Sequence, residues 1–300
     1  MGMQASSQGA VGRAWSPPLP EVQGFEHLLI ETPGIRTHVA VIGEGEPVLA
    51  LHGFPMHWWQ WRVIAPAIAA QGYRVICPDL RGSGWTESED PGFHAESQVD
   101  DVEAVLDALG IESAFLLCHD MGAISGMQFA YRRAERVRAI VQVAVPPGFM
   151  EFMPRVMPAF AHMPALLTHR PGRSLRYLFG PRYAAQPMAD STIDTYLSVH
   201  GRPEVERAVT ALYRGMVIPV SMRLMRGVYK RMRLHPPMLC VFGRQDGPFA
   251  EPIARRICRN HAEHADRFAL AFVEGGAHFL TDDRPDDVVR LSLDWFSRAA

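Results

Sequence analysis

The sequence predicts an α/β fold: a mostly parallel sheet with helices on both faces and a helical cap set into the chain. Three observations carry this reading. Short continuous apolar runs, the mark of strands buried on both faces, alternate with amphipathic stretches from Val48 to Ala144. The alternation stops at Pro146-Pro147-Gly148 and resumes at Met238. Loops bearing reactive side chains follow directly on the apolar runs, where open parallel sheets place their sites.

In chain order, residues 1–22 are rich in Gly, Ser, Gln and Pro and are expected to form a flexible arm. Met1-Gly2 with Ser6 formally fits a myristoylation pattern, but so short a match is weak. His27 to Ile30 and Ile35 to Val41, split by Pro33-Gly34, read as an antiparallel hairpin. Val48 to Leu51 is a buried strand that runs into His52-Gly53-Phe54-Pro55. A helix is expected from Trp58 to Ala70, with Trp58, Trp61, Ile64, Ala65 and Ile68 at helical spacing. The strand Tyr73 to Cys77 ends at Pro78-Asp79-Leu80-Arg81-Gly82-Ser83-Gly84, where Asp79 and Arg81 read as structural turn residues. An amphipathic helix over 97–109 is stopped by Gly110. The strand Ala114 to Leu117, a helix to about Arg133 and the strand Ala139 to Ala144 follow.

From 149 to about 234 the spacing is helical, with many methionines and tyrosines and no convincing buried strand. Met238 to Phe242 and Ala269 to Val273 resume the sheet, and Pro285 to Phe296 closes the chain as a helix. The organisation expected is an arm (1–22), a first core part (23–147), a helical cap (148–234) and a second core part (235–300).

Composition narrows the function classes. With 48% apolar and 21% charged residues, the chain can bury a core and is not of the disordered class. A formal charge of −2 and no dense basic run argue against a nucleic-acid partner. Arginine carries nearly all the positive charge, since Lys230 is the single lysine. Cys77, Cys118, Cys240 and Cys258 lack metal-ligand spacing and suit a reducing, cytoplasmic setting. No apolar run reaches the ~18 residues of a membrane span, and no signal-peptide pattern opens the chain.

The chemistry centres on Phe115-Leu116-Leu117-Cys118-His119-Asp120-Met121-Gly122-Ala123, a strand, a sharp turn and a helix with one reactive side chain at the apex. The pattern is that of a nucleophile elbow, usually G-x-S-x-G, with Asp120 at the nucleophile position and Cys118 in place of the first glycine. A serine must lose a proton before it attacks, whereas a carboxylate of pKa about 3.9 is already ionised at neutral pH. It suits displacement at a strained or halogenated saturated carbon, leaving an alkyl ester that a base-activated water must then cleave.

With the His-Gly-Phe-Pro loop, Asp79 to Gly84, the elbow, Asp246 and His278 in chain order, residues 25 to 298 resemble the epoxide hydrolases of the α/β-hydrolase fold. The resemblance implies Asp120 as nucleophile, His278 as the base that activates water, and Asp246 as the acid that orients it. Phe54 and Met121 would offer backbone N–H groups to the oxyanion. Two cap tyrosines would protonate the opening oxygen. Tyr213 in Ala-Leu-Tyr-Arg matches the second, and Tyr177, with Tyr183 behind it, is chosen as the first. Trp58, Met150 and Phe249 are expected to line the substrate pocket.

The implied reaction turns a lipophilic epoxide and water into a vicinal diol, without metal or organic cofactor. A homodimer is compatible with the chain. A haloalkane or haloacid dehalogenase would share the triad, but Phe54 and Met121 offer no side-chain donor to a halide. A non-catalytic binding protein on the same fold is the remaining alternative, and it has no use for a complete triad.

Overall fold

The computed structural model describes residues 8–9, 15–32, 34–88 and 92–299. Pro33 and the Met1-Gly2 and Ser6 pattern lie outside them. The strands are β1 (Gln8–Gly9), β2 (Glu26–Thr32), β3 (Ile35–Ile42), β4 (Glu46–Leu51), β5 (Tyr73–Pro78), β6 (Glu87–Ser88), β7 (Ala114–His119), β8 (Val137–Val143), β9 (Met238–Gly243) and β10 (Phe268–Val273). They form one sheet in the order β1-β2-β3-β5-β4-β7-β8-β9-β10, with β6 beside β3. Pairing is parallel from β5 through β10 and antiparallel on the hairpin side.

Side chains alternate between the two sheet faces, and both faces are covered. On one, Leu49, Leu116, Ile140 and Phe242 pack against α2 (Ala95–Ala108), α3 (Met121–Arg132) and α8 (Glu251–Ile257). On the other, Val48, Leu117, Val141 and Val241 meet α1 (Ile64–Ala69) and α11 (Pro285–Ser297). Trimming one such residue, for example Leu117, to alanine costs about 2–5 kcal/mol.

The chain leaves β4 to build β5 on one side and returns to place β7 on the other. The crevice beyond the carboxyl ends of β4 and β7 is therefore the switch point, where such sheets bind ligands.

Between β8 and β9 the described residues contain helices only: the short α4 (Met163–Leu167), then α5 (Asp190–Leu197), α6 (Pro203–Leu212) and α7 (Ile218–Met225), with 3-10 turns between. Tyr213–Val217 joins α6 to α7 as a π turn. After β9 come α8, α9 (His261–His264) and, beyond β10, α10 (Leu280–Asp283) and α11.

Two expectations are corrected. The helix expected over Trp58 to Ala70 is a 3-10 turn, Trp58–Trp61, followed by α1. The described part of the arm is packed: the Trp85 indole donates to the carbonyl of Pro17 at 2.6 Å, and Leu19 and Val22 lie on the core. A tryptophan N–H beside an apolar strip gives that segment a fixed seat.

Candidate active site

β7 ends at His119, and α3 begins at Met121, so Asp120 alone makes the turn, at φ 46° and ψ −111°. A non-glycine residue at positive φ stores about 1–3 kcal/mol, held by the surrounding packing. Crowding explains the small neighbours. A Cβ on Gly122 would run into the backbone of Leu51 and His52, and one on Gly126 would meet the Cys118 sulfur at 2.5 Å. Cys118 can stand where the motif has glycine because Gly126 leaves room for its sulfur.

The Asp120 carboxylate faces the expected partners. Its Oδ2 accepts the Phe54 N–H at 2.9 Å, and its Oδ1 lies 3.5 Å from His278 Nε2. His278 Nδ1 lies 3.5 Å from Oδ2 of the buried Asp246. Both spacings are those of ion pairs, and tight hydrogen bonds would be shorter. Met121 is the first residue of α3, so its N–H has no acceptor within the helix.

Charge follows from this geometry. Burial works against a charged His278 ring, but hydrogen bonding and attraction from Asp120 and Asp246 outweigh it and push the pKa up to about 10. For Asp120, burial would raise the pKa, and the bond and charge of His278, with the Phe54 N–H, hold it well below the usual carboxylate range.

A support layer fixes these groups. His119 Nε2 donates to the His278 carbonyl at 2.9 Å, and burial drives its pKa down to about 4, which keeps the ring neutral. Gln60 accepts the Gly53 N–H at 2.8 Å and donates to Thr281 at 3.0 Å. Asp283 Oδ2 accepts N–H groups from Ala277 and Ala185, tying the His278 turn to the helical segment. Asp79, buried, accepts from Trp58 N, Trp85 N and His38; burial would raise its pKa, but the bond and charge of His38, with His57 and His52 nearby, draw it to about 2. With Arg81 held bidentately by Asp101, both residues of that turn have structural partners.

A cavity of about 140 Å³ lies in front of Asp120, lined by Asp246 and His278 and otherwise mostly by apolar groups, including Met121, Met150 and Phe249. Tyr213 and Tyr183 line it too, and Tyr213 packs edge-on against Phe54 at 5.5 Å between centroids. Burial raises the pKa of both phenols and keeps them protonated.

Tyr177 is misplaced by the sequence reading: it is 45% exposed and absent from the cavity wall, which Tyr183 occupies instead. Trp58 is also corrected. It is fully buried against Phe25 and His27, in the core cluster it shares with Ile64 and Ile68, and is absent from the cavity wall.

His162 is the residue that sequence reasoning missed. It lines the cavity, its Nδ1 lies 3.4 Å from the Tyr183 hydroxyl, and its ring stands edge-on to Tyr213. Burial lowers its pKa, so the imidazole is neutral. A lone polar ring within the apolar stretch Phe160 to Met163 was the available signal. Among the described residues, no group of three or more His, Cys, Asp or Glu could hold a metal ion. The four cysteines are free and buried.

Residues 46–248 match the α/β hydrolase fold family, more than half of the chain. The chain belongs to that family. The chain is 43% identical over 133 residues to epoxide hydrolase 3 of Siraitia grosvenorii, an alignment covering 44% of this chain and 40% of that protein. It is 35% identical over 118 residues to the soluble epoxide hydrolase of a Corynebacterium species, covering 39% and 41%. The chain thus spans about two-fifths of the length of the curated relatives it matches. The ligand-free structure of the epoxide hydrolase CorEH superimposes with a TM-score of 0.76 at 23% identity, over 92% of this chain and 100% of that one, a likeness of fold. Among the described residues, no helix of this α/β-hydrolase is long and apolar enough to cross a membrane.

Proposed function

We propose that the chain is an epoxide hydrolase that works through a covalent ester on Asp120. The observation that supports this best is one line of groups. His278 stands between Asp120 and Asp246, and Asp120 shares an apolar cavity with the phenols of Tyr213 and Tyr183.

Asp120 Oδ1 attacks an epoxide carbon and the ring C–O bond breaks. The oxygen that departs takes a proton from Tyr213 or Tyr183, whose raised pKa values suit a neutral donor. Esterification removes the negative charge of Asp120, one of the two that hold the proton on His278. That proton is then released and restores the phenol. Neutral His278 now takes a proton from water, and the hydroxide adds to the ester carbon. Oδ2 becomes the oxyanion, with the Phe54 N–H already upon it and the Met121 N–H, which has no acceptor within α3, as the second donor of this reading. On collapse the ester C–O bond breaks, the departing oxygen takes the proton of the added hydroxyl, and the diol leaves with the carboxylate regenerated and His278 protonated as at the start. Asp246 holds the imidazole orientation and stabilises its charge.

The test is intact-protein mass on His278→Gln, incubated separately with styrene oxide and with 1-bromobutane. An adduct equal to the whole epoxide mass, absent in His278→Gln with Asp120→Asn, supports the reading. An adduct only from the bromide, lighter by hydrogen bromide, would replace it with dehalogenation.

A further inference from the structure

The helical segment at 148–234 holds 13 of the chain's 30 Lys and Arg but only 5 of its 32 Asp and Glu. Its formal charge is therefore +8, against −10 for the rest of the chain. The imbalance is sharpest from Ser221 to Arg233, a stretch with five cations and no carboxylate. Arg223 and Arg233 reach out to Glu96 and Asp266. Among the described residues, Arg226, Lys230 and Arg231 meet no carboxylate. Flanking these cations, Met232 is 39% exposed, and Met222 and Met225 on α7 are 39% and 52% exposed. Behind them, Val220, Ser221 and Leu224 of the same helix line the cavity before Asp120. Helix α7 thus turns exposed methionines outward and an apolar cavity wall inward, and Arg226, Lys230 and Arg231 follow directly on its end.

We propose that this face docks on anionic phospholipid membranes. The methionines enter the headgroup layer, and Arg226, Lys230 and Arg231 meet lipid phosphates. A second copy of the chain is a poor occupant, because an isologous contact would set cations against cations. A nucleic acid would use the charge and leave the methionines without a role. Docking places the cavity wall against the bilayer, where a lipophilic epoxide concentrates. That delivery rests on the epoxide hydrolase reading, and the docking does not.

The test is flotation of the full chain with phosphatidylcholine vesicles, with and without phosphatidylglycerol, in the absence of any epoxide. The protein is expected to float with the anionic vesicles only, and less at high salt. Combining Arg226→Gln, Lys230→Gln and Arg231→Gln should weaken binding roughly a hundredfold, at about fivefold per cation. Met222→Ser with Met225→Ser should weaken it by about tenfold or more. Hydrolysis of a water-soluble epoxide should be unchanged in both variants. The proposal is overturned by any of four results: no flotation, equal flotation with neutral vesicles, insensitivity to the three glutamines, or a methionine variant that binds as before. A wild-type dimer dispersed by the three glutamines, with no vesicle binding, would make the face a self-interface instead. Failure here would leave the ester-trapping result untouched.

Discussion

In the proposed cycle the phenol that protonates the departing alkoxide must hold its proton until the bond breaks, and burial raises the pKa of Tyr213 in the sense this needs. Replacing Tyr213 by Phe removes the proton and keeps the ring against Phe54, so packing is spared. Tyr213→Phe is expected to slow ester formation by roughly 10²–10⁴-fold while leaving hydrolysis of a preformed ester much less affected. Rapid-quench measurement of the two steps checks this. Tyr183→Phe should show the same split, and Tyr177→Phe, on the exposed side, should change neither step. Equal losses from Tyr177 and Tyr183 would undo the assignment. The contrast shows what was legible at this scale. Asp120, Asp246 and His278 each follow a strand end, so chain order alone suggested their meeting. Tyr183 and His162 come from irregular turns, where no period says which way a side chain faces.

At the scale of an element, the elbow was readable because its geometry demands small residues, and the sequence supplies them at Gly122, Ala123 and Gly126. The substitution of Cys118 for glycine looked like a departure. In the fold it is one half of a pair, since its sulfur occupies the space above Gly126. Gly126→Ala should therefore cost about 1–3 kcal/mol of stability, as overpacking does. Adding Cys118→Ala should recover part of that loss, and a double-mutant cycle in urea would report coupling of at least about 0.5 kcal/mol. Additive losses would mean that the two positions do not touch. The π turn at Tyr213–Val217 was not readable. Within it, Gly215 lies so close to the Phe93 carbonyl that a Cβ would clash, an approach between segments 122 residues apart that leaves no local trace in the sequence.

At the scale of the whole molecule, strand order and the helical insertion were legible, since alternation of apolar runs and helices dictates a parallel sheet. The bonds that seat the insertion on the sheet were not, because they join residues distant in sequence. Arg62 reaches Asp282 and Tyr196 at 2.7 Å, and His57 bonds the carbonyl of Thr195. Buried histidines make this assembly sensitive to pH. Burial depresses His57 and His119 to about 4, so between pH 6.5 and 4 the unfolded chain binds more protons than the folded one. Stability is then lost as pH falls through that window, by up to about 3 kcal/mol per fully buried ring. His278 works in the opposite sense. Its folded pKa lies near 10, above the unfolded value, so its contribution is complete below pH 6.5 and fades as pH rises toward 10. Urea unfolding across pH 4–10 should therefore give a maximum near neutrality with two descending limbs. His278→Gln should remove the part of the alkaline limb that begins near pH 6.5 and leave the acid limb in place, while the four cysteines, whose thiols burial pushes up, keep a loss above about pH 8.5. An unchanged alkaline limb in that variant would show that Asp120 and Asp246 do not hold the proton on His278, and the timing of the base in the proposed cycle would fall with it.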